Sequence, residues 1–275
     1  MKREEHLVYC KKCVHRKMDF DTGILCEITN KIADFENICP NYEIDEVIKE
    51  KENTIVNQIK PNKKYADFAK ILISIILVLD VISMLSSYMQ LNLLNAFQEG
   101  QTVTDSQISS NDSREQIIGV LYAVFYITSA ITFLNWFKRA YYNLNVRAGS
   151  QYTNSQSLYA WFIPYVNLYR PYQIMKEMWE TTSQQVINKS NNKNKKNNSL
   201  IISAWWFLWV FSSFIGRYIL RNLFKENTIN DLINTTIADI LAGLIGVALA
   251  IITYIMIDKY SQKEEELINL EKNLS

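Results

Sequence analysis

The chain has few of the residues on which enzymes and nucleic-acid-binding proteins commonly depend. Its 275 residues include two histidines, His6 and His15, and carry a formal net charge of +1. Neither an HExxH nor a GxSxG pattern is present, which excludes the common metalloprotease and serine-hydrolase motifs. A net charge so close to zero excludes a broad basic surface, so nucleic acid is not an expected partner. We therefore expect a protein that is not an enzyme.

The N-terminal residues lack the apolar core of a secretory signal peptide. The segment MKREEHLVYC is charged, so the first membrane span is expected to act as its own insertion signal. Residues 1–60 would then stay in the cytoplasm.

Charged residues are nearly absent from four apolar stretches of about twenty residues, each long enough to cross a hydrocarbon core about 30 Å thick. These stretches are residues 71–94, 117–137, 200–220 and 236–257. Their charged residues are Asp80, Arg217 and Asp239. The sequence therefore predicts an all-α integral membrane protein with four transmembrane helices in contact with the lipid bilayer.

Lysine and arginine are distributed unevenly among the segments that flank these spans. They are frequent before residue 71 and between residues 137 and 200, and sparse in the segments 98–116 and 221–235. Because positive residues near span ends are retained in the cytoplasm, this bias predicts that the N- and C-termini are both cytoplasmic. The expected organisation is a cysteine module (1–42), a linker (43–65), a four-span membrane domain (66–260) and a cytoplasmic tail (261–275).

The cysteines are confined to the first 39 residues, with the spacing C-x2-C-x12-C-x12-C. They are Cys10, Cys13, Cys26 and Cys39. Four thiolates can complete the tetrahedral site that structural zinc prefers, and a reducing cytoplasm disfavours disulfides. Gly23 suits a tight turn between two short strands. A structural zinc ion is the favoured interpretation, with an iron–sulfur cluster or ordinary thiols as alternatives.

Two features of the spans suggest chemistry or close packing. Asp80 lies near the middle of the first span, where a carboxylate must face protein or water, so it forms either a proton or cation site or a structural contact. The fourth span carries small residues at intervals of four, which places them on one helix face. They are Ala238, Ala242, Gly246 and Ala250. This stripe predicts either an internal seam of the bundle or a contact between two copies of the chain.

An aromatic segment at 158–180 lies between the second and third spans and contains Pro164 and Pro171. Crossing the membrane here would move the lysine- and asparagine-rich stretch 188–199 outside, so we expect a proline-kinked helix at the cytoplasmic interface. Four side chains of the segment form one polar face on a helical wheel, either to meet water or to bind a partner. They are Asn167, Arg170, Gln173 and Glu177.

The same segment carries a family resemblance. Residues 161–179 match the pattern WFIPxxNLxRPYQxMxExW, and a W-x2-RAY-x-NL block precedes it, with Trp136, Arg139, Ala140, Asn143 and Leu144. Both patterns resemble those of a bacterial membrane family known as domain of unknown function 4328, over about residues 65–260. The resemblance implies a multi-pass architecture in the cytoplasmic membrane of a bacterium, with Arg139 and Asn143 as further candidate polar residues. The cysteine module lies outside it and looks like a zinc-ribbon-like element.

Two functions follow from these patterns. The favoured one is a non-enzymatic membrane protein whose cysteine module and basic loop dock a cytoplasmic protein. The alternative is a homo-oligomeric transporter or channel for a small solute or ion, with Asp80 and the segment between Pro164 and Pro171 near its pathway.

Overall fold

The computed structural model describes residues 1–190, 199–222 and 228–274. Most of the lysine- and asparagine-rich stretch 188–199, the basic loop that the sequence predicted to dock a cytoplasmic protein, lies outside these residues. The chain forms two compact units. Of the described residues, the first unit contains 1–59, 185–190 and 266–274, and the second contains 60–184, 199–222 and 228–265.

Residues 1–59, here called the head, begin with helix α1 (Arg3–Cys10) and a hairpin of strands β1 (Arg16–Asp19) and β2 (Gly23–Cys26). Asp19 closes the hairpin, because its Oδ1 accepts hydrogen bonds from the backbone N–H groups of Asp21 and Thr22 at 3.1 and 2.8 Å. Gly23 has a φ of +82°, a conformation that L side chains rarely adopt. The predicted turn between two short strands is confirmed.

The chain returns to the start of the hairpin before helix α2 (Glu46–Gln58). The Val14 N–H donates to the Glu43 carbonyl at 2.8 Å, and the Asp45 N–H donates to the Lys12 carbonyl at 2.8 Å. An ion pair between Arg16 and Asp45 at 2.7 Å reinforces this pairing. The segment that follows Tyr42 is therefore part of the folded head.

Four described helices are long and apolar enough to cross a membrane, which confirms the predicted number of spans. They lie within α3 (Lys63–Gln98), α4 (Asp105–Ala148), α7 (Leu200–Asn222) and α8 (Ile229–Leu274). At a rise of about 1.5 Å per residue, α4 is about 66 Å long and exceeds the thickness of a hydrocarbon core. Most of the expected loop 98–116 is the first part of α4, and the expected tail 261–275 continues α8 to Leu274.

The prediction of one proline-kinked helix over residues 158–180 is wrong, because the segment is not one continuous helix. The segment contains a short helix α5 (Gln156–Tyr159), a 3-10 turn (Val166–Leu168) and helix α6 (Arg170–Ser190). Tyr165 has a φ of +66°, which a continuous right-handed helix does not allow. Pro171 lies in the first turn of α6, where its missing N–H is tolerated. The two prolines therefore separate helices and do not bend one.

The best-buried side chains of the second unit belong to one cluster, centred on the C-terminal half of α4 and on α6. Its large, fully buried members include Trp136, Phe137, Tyr141, Met175, Met178, Trp205 and Tyr260. Along the spans, by contrast, large apolar side chains such as Val78, Ile127 and Phe207 are more than half exposed. Such exposure suits side chains that face lipid tails.

Candidate functional site

The four cysteines of the head come from different elements but line one cavity of about 130 Å3. Cys10 ends α1, Cys13 precedes β1, Cys26 ends β2, and Cys39 lies in the loop before Pro40. All four thiols are free, and Cys13 is buried. Tyr9, Phe35 and Tyr42 are among the other residues that line the cavity. The fold thus gathers around one small volume the four residues that the sequence spacing singled out.

The thiols influence one another electrostatically. Burial, opposed by Arg3, raises the pKa of the Cys10 thiol, and the other three thiols raise it further. Burial also opposes ionisation of Cys26, but hydrogen bonds from the backbone of Thr29 and Ile28 lower its pKa overall. Across the described ranges of the chain, no three His, Cys, Asp or Glu side chains are grouped so that they could hold a metal ion. The cysteines share a cavity without forming a coordination cluster.

Asp80 is buried, with 3% of its surface exposed, at a place where three helices meet. The Tyr122 hydroxyl of α4 donates to Asp80 Oδ1 at 2.9 Å, whereas Asp80 Oδ2 has no hydrogen-bond partner among the described residues. Gly246 of α8 lies directly against this carboxyl, since a Cβ on Gly246 would come within 2.7 Å of Asp80 Oδ1. The observed neighbours of the Asp80 carboxyl are therefore a hydroxyl and a glycine.

The small-residue stripe of α8 lies partly at this contact. Ala238 and Ala250 are buried, and Ala242 and Gly246 are half-buried. Gly243, which the sequence analysis missed, is buried against α3, and a Cβ there would meet Met84 Cβ at 3.2 Å. A spacing of three from Gly246 placed Gly243 on the same face, so helical periodicity would have found it.

The predicted polar face of residues 167–177 is divided. Asn167 belongs to the 3-10 turn, whereas Arg170, Gln173 and Glu177 lie on α6. Glu177 accepts hydrogen bonds from the Tyr141 hydroxyl at 3.0 Å and from the Gln151 N–H at 2.7 Å.

Tyr152 covers the other two residues of this face. Its ring lies 4.3 Å below the Arg170 guanidinium, and its hydroxyl donates to Gln173 Oε1 at 3.4 Å. Burial raises the pKa of the Tyr141 hydroxyl, which donates to Glu177, to about 12. The α6 face therefore binds the end of α4 and the loop that follows it.

Asn143 joins three separate parts of the second unit and is fully buried. Its Oδ1 accepts from the Lys60 N–H at 3.0 Å, and its Nδ2 donates to the Lys60 carbonyl at 2.9 Å and to Glu264 Oε1 at 2.6 Å. Asn62 Nδ2 donates to Glu264 Oε2 at 3.2 Å. We call these four residues the amide clamp.

Charged side chains lie beside the amide clamp. Arg147 lies 3.8 Å from Glu264 Oε1. Burial raises the pKa of Glu264, although Asn143, Arg147 and Asn62 each oppose that rise. Arg139, the other polar residue of the same block, donates to the Pro61 carbonyl at 2.9 Å. Both candidate residues of the block therefore bind the chain just before α3.

We predict that Asn143→Ala destabilises the protein by about 3 kcal/mol or more, because the Lys60 backbone and a buried carboxylate both lose a partner. Thermal unfolding in detergent measures the effect. Asn145→Ala changes the same residue type on an exposed position of the same helix and is expected to change stability by less than about 0.5 kcal/mol. Equal losses in the two variants would contradict a special role for the clamp.

We predict that Gly246→Ala destabilises the bundle by about 1–3 kcal/mol, because its methyl group would overlap the Asp80 carboxyl. Adding Asp80→Ala removes the obstructing group, so the double variant should lose less than the sum of the two single losses. Gly119→Ala is the control, since a Cβ there would meet nothing within 4 Å. Additive losses in this double-mutant cycle would show that the two residues do not meet.

Comparison with known proteins identifies the family of the chain. No curated protein and no solved structure has significant similarity to the chain. One family matches residues 99–262, more than half of the chain, and its description is "domain of unknown function (DUF4328)". The match begins after α3, so it is shorter than the expected range of 65–260, and it contains both the Asn143 block and the α6 segment. The chain is therefore a membrane protein that belongs to the DUF4328 family.

Proposed function

We propose that the protein is a non-enzymatic membrane protein whose head is held together by zinc and docks a cytoplasmic protein. The proposal rests on the observation that the head has a defined fold but almost no hydrophobic core. Within residues 1–59, all of which the structure describes, His6 and Cys13 are the only buried side chains. So small a core cannot stabilise a domain, whereas a structural zinc ion contributes on the order of 10 kcal/mol.

The donor set fits zinc. A closed structural zinc site uses four thiolate ligands, and four thiols surround this cavity. The other three thiols raise the pKa of Cys10, and the positive charge of a bound zinc ion would counteract that rise. Because the thiols are not clustered, binding would have to draw them together. A site with four protein ligands has no open position for a substrate, which agrees with a non-enzymatic role.

Docking is supported by apolar side chains that the head leaves in contact with solvent. Phe20, at the tip of the hairpin, is completely exposed, and Met18 on β1 is 73% exposed. Two exposed apolar side chains on one hairpin offer a surface that a partner can cover. The lysine and arginine bias supports a cytoplasmic location for both termini and the head, in the cytoplasmic membrane of a bacterium.

A second candidate is a homo-oligomeric transporter for a small solute or ion. The observation in its favour is Asp80 Oδ2, a buried carboxylate oxygen inside a span without a hydrogen-bond partner. Gly246 packs against that carboxyl and leaves little room for a pathway beside it within one chain. A transporter would therefore need a pathway between copies of the chain, lined by the segment between Pro164 and Pro171. Asp80→Asn should then abolish solute flux into vesicles.

We predict that the full-length protein purifies with about one zinc ion per chain. Cys26→Ser should lose the metal and make residues 8–42 sensitive to protease, since the metal supplies most of their stability. Met18→Ser, at an exposed position of the same hairpin, should keep both zinc and protease resistance. Elemental analysis and limited proteolysis measure the two effects. Iron in place of zinc, or equal protease resistance in Cys26→Ser and the wild type, would refute the zinc proposal.

We predict that Phe20→Ser lowers the yield of a crosslinked cytoplasmic partner while zinc is retained, because it removes the exposed ring without touching the cysteines. The measurement is crosslinking in membranes, followed by affinity purification at matched expression. Val47→Ser, at a 74% exposed apolar position on α2, is the control. A defined partner that is lost in Phe20→Ser and kept in the control supports docking. Crosslinks between copies of the chain alone would favour the transporter.

A further inference from the structure

A groove of about 670 Å3 lies along α3, with Tyr254 of α8 on its other side. One end is polar and contains Asp67 and Lys70. The remainder is lined mainly by apolar side chains of α3, including Ile71, Ile75 and Val78. Its volume falls within the usual range of about 300–1,000 Å3 for a ligand site.

The length of the groove along α3 matches the thickness of one leaflet of a bilayer. Lys70 directly precedes the apolar stretch that begins at Ile71, so its ammonium lies at the level of lipid headgroups. From Lys70 to Leu79, the last lining residue on α3, the helix rises about 14 Å. Half of a hydrocarbon core is about 15 Å. The apolar part thus has the length of an acyl chain that ends near the bilayer centre.

The polar end contains one cation between two anions. The Lys70 ammonium lies 3.0 Å from Asp258 Oδ1 and 3.1 Å from Asp67 Oδ1. An ammonium group has three N–H donors, so a third can bond to a phosphate oxygen. The Asp67 side chain is 48% exposed and can accept hydrogen bonds from a ligand, whereas Asp258 Oδ2 already accepts from Gln262 at 2.7 Å.

These charges select among phospholipids. The three groups sum to one negative charge, which disfavours an anionic headgroup that lacks an amine. A headgroup with a phosphate and a primary ammonium complements both signs, because the phosphate can bind Lys70 and the ammonium can donate to Asp67. A quaternary amine has no N–H to donate.

We propose that this groove is a binding site for a phospholipid with a primary-amine headgroup, phosphatidylethanolamine, with one acyl chain along α3, the phosphate on Lys70 and the headgroup ammonium on Asp67.

Native mass spectrometry of the full-length protein in detergent tests the site, with phosphatidylethanolamine, phosphatidylcholine and phosphatidylglycerol of identical acyl chains. We expect phosphatidylethanolamine to bind most tightly. Asp67→Asn and Lys70→Met should each weaken its binding about tenfold, the factor that corresponds to one charge-assisted hydrogen bond. Lys64→Met removes the same charge from an exposed position six residues earlier on α3 and should leave the preference unchanged.

A second variant keeps the polar end intact, in case Lys70→Met disturbs folding through Asp258. Val78→Trp fills the apolar part at a position that is 54% exposed, so it should block the acyl chain without a change of charge. Val120→Trp, at a 59% exposed position of α4, is the control. Equal binding of the three lipids, tighter binding of phosphatidylglycerol, or equal effects of Val78→Trp and Val120→Trp would overturn the proposal.

Discussion

The amide clamp is the contact on which the second unit most depends. Asn143 satisfies both backbone groups of Lys60 and one oxygen of the buried Glu264 carboxylate, so a single side chain joins α4, α8 and the chain before α3. Buried polar groups are costly unless they find partners, and a hydrogen-bonded network of this kind favours one arrangement of its helices. The neighbouring Trp136 and Ala140 are fully buried. These contacts explain the pattern around Asn143 by the assembly of the bundle.

The second unit uses different interactions in its two environments. The cluster of large buried side chains lies at the ends of the spans next to α6, where water makes the burial of Trp136 and Met175 favourable. Within the bilayer, lipid tails are as apolar as the helices, so association depends on close packing and on polar contacts. Gly246 and Gly243 provide the close packing against α3, and the Tyr122 hydroxyl provides a polar contact for Asp80.

The sequence predicted the parts of the fold that depend on local composition. Long apolar runs identified the four spans, and Gly23 identified the hairpin turn. Helix ends were harder to predict, because the polar residues before and after a span are compatible with either a helix or a loop, and α8 continues through all of the expected tail that the structure describes. Partners distant in sequence could not be predicted. Glu264 looked like a solvated tail residue, and nothing in the local pattern of Tyr122 connected it to Asp80.

The contact between Asp80 and Gly246 has a consequence for biosynthesis. α3 and α4 are translated before α8, so Asp80 has Tyr122 but not Gly246 beside it when the first two spans reach the membrane. A chain that stops before α8 leaves part of a carboxylate facing lipid, at a cost of about 2.5–3.5 kcal/mol on insertion scales. Completion of the last span covers that group. A carboxylate near the middle of the first span thus distinguishes an incomplete chain, in which it faces lipid, from the finished chain, in which Gly246 covers it.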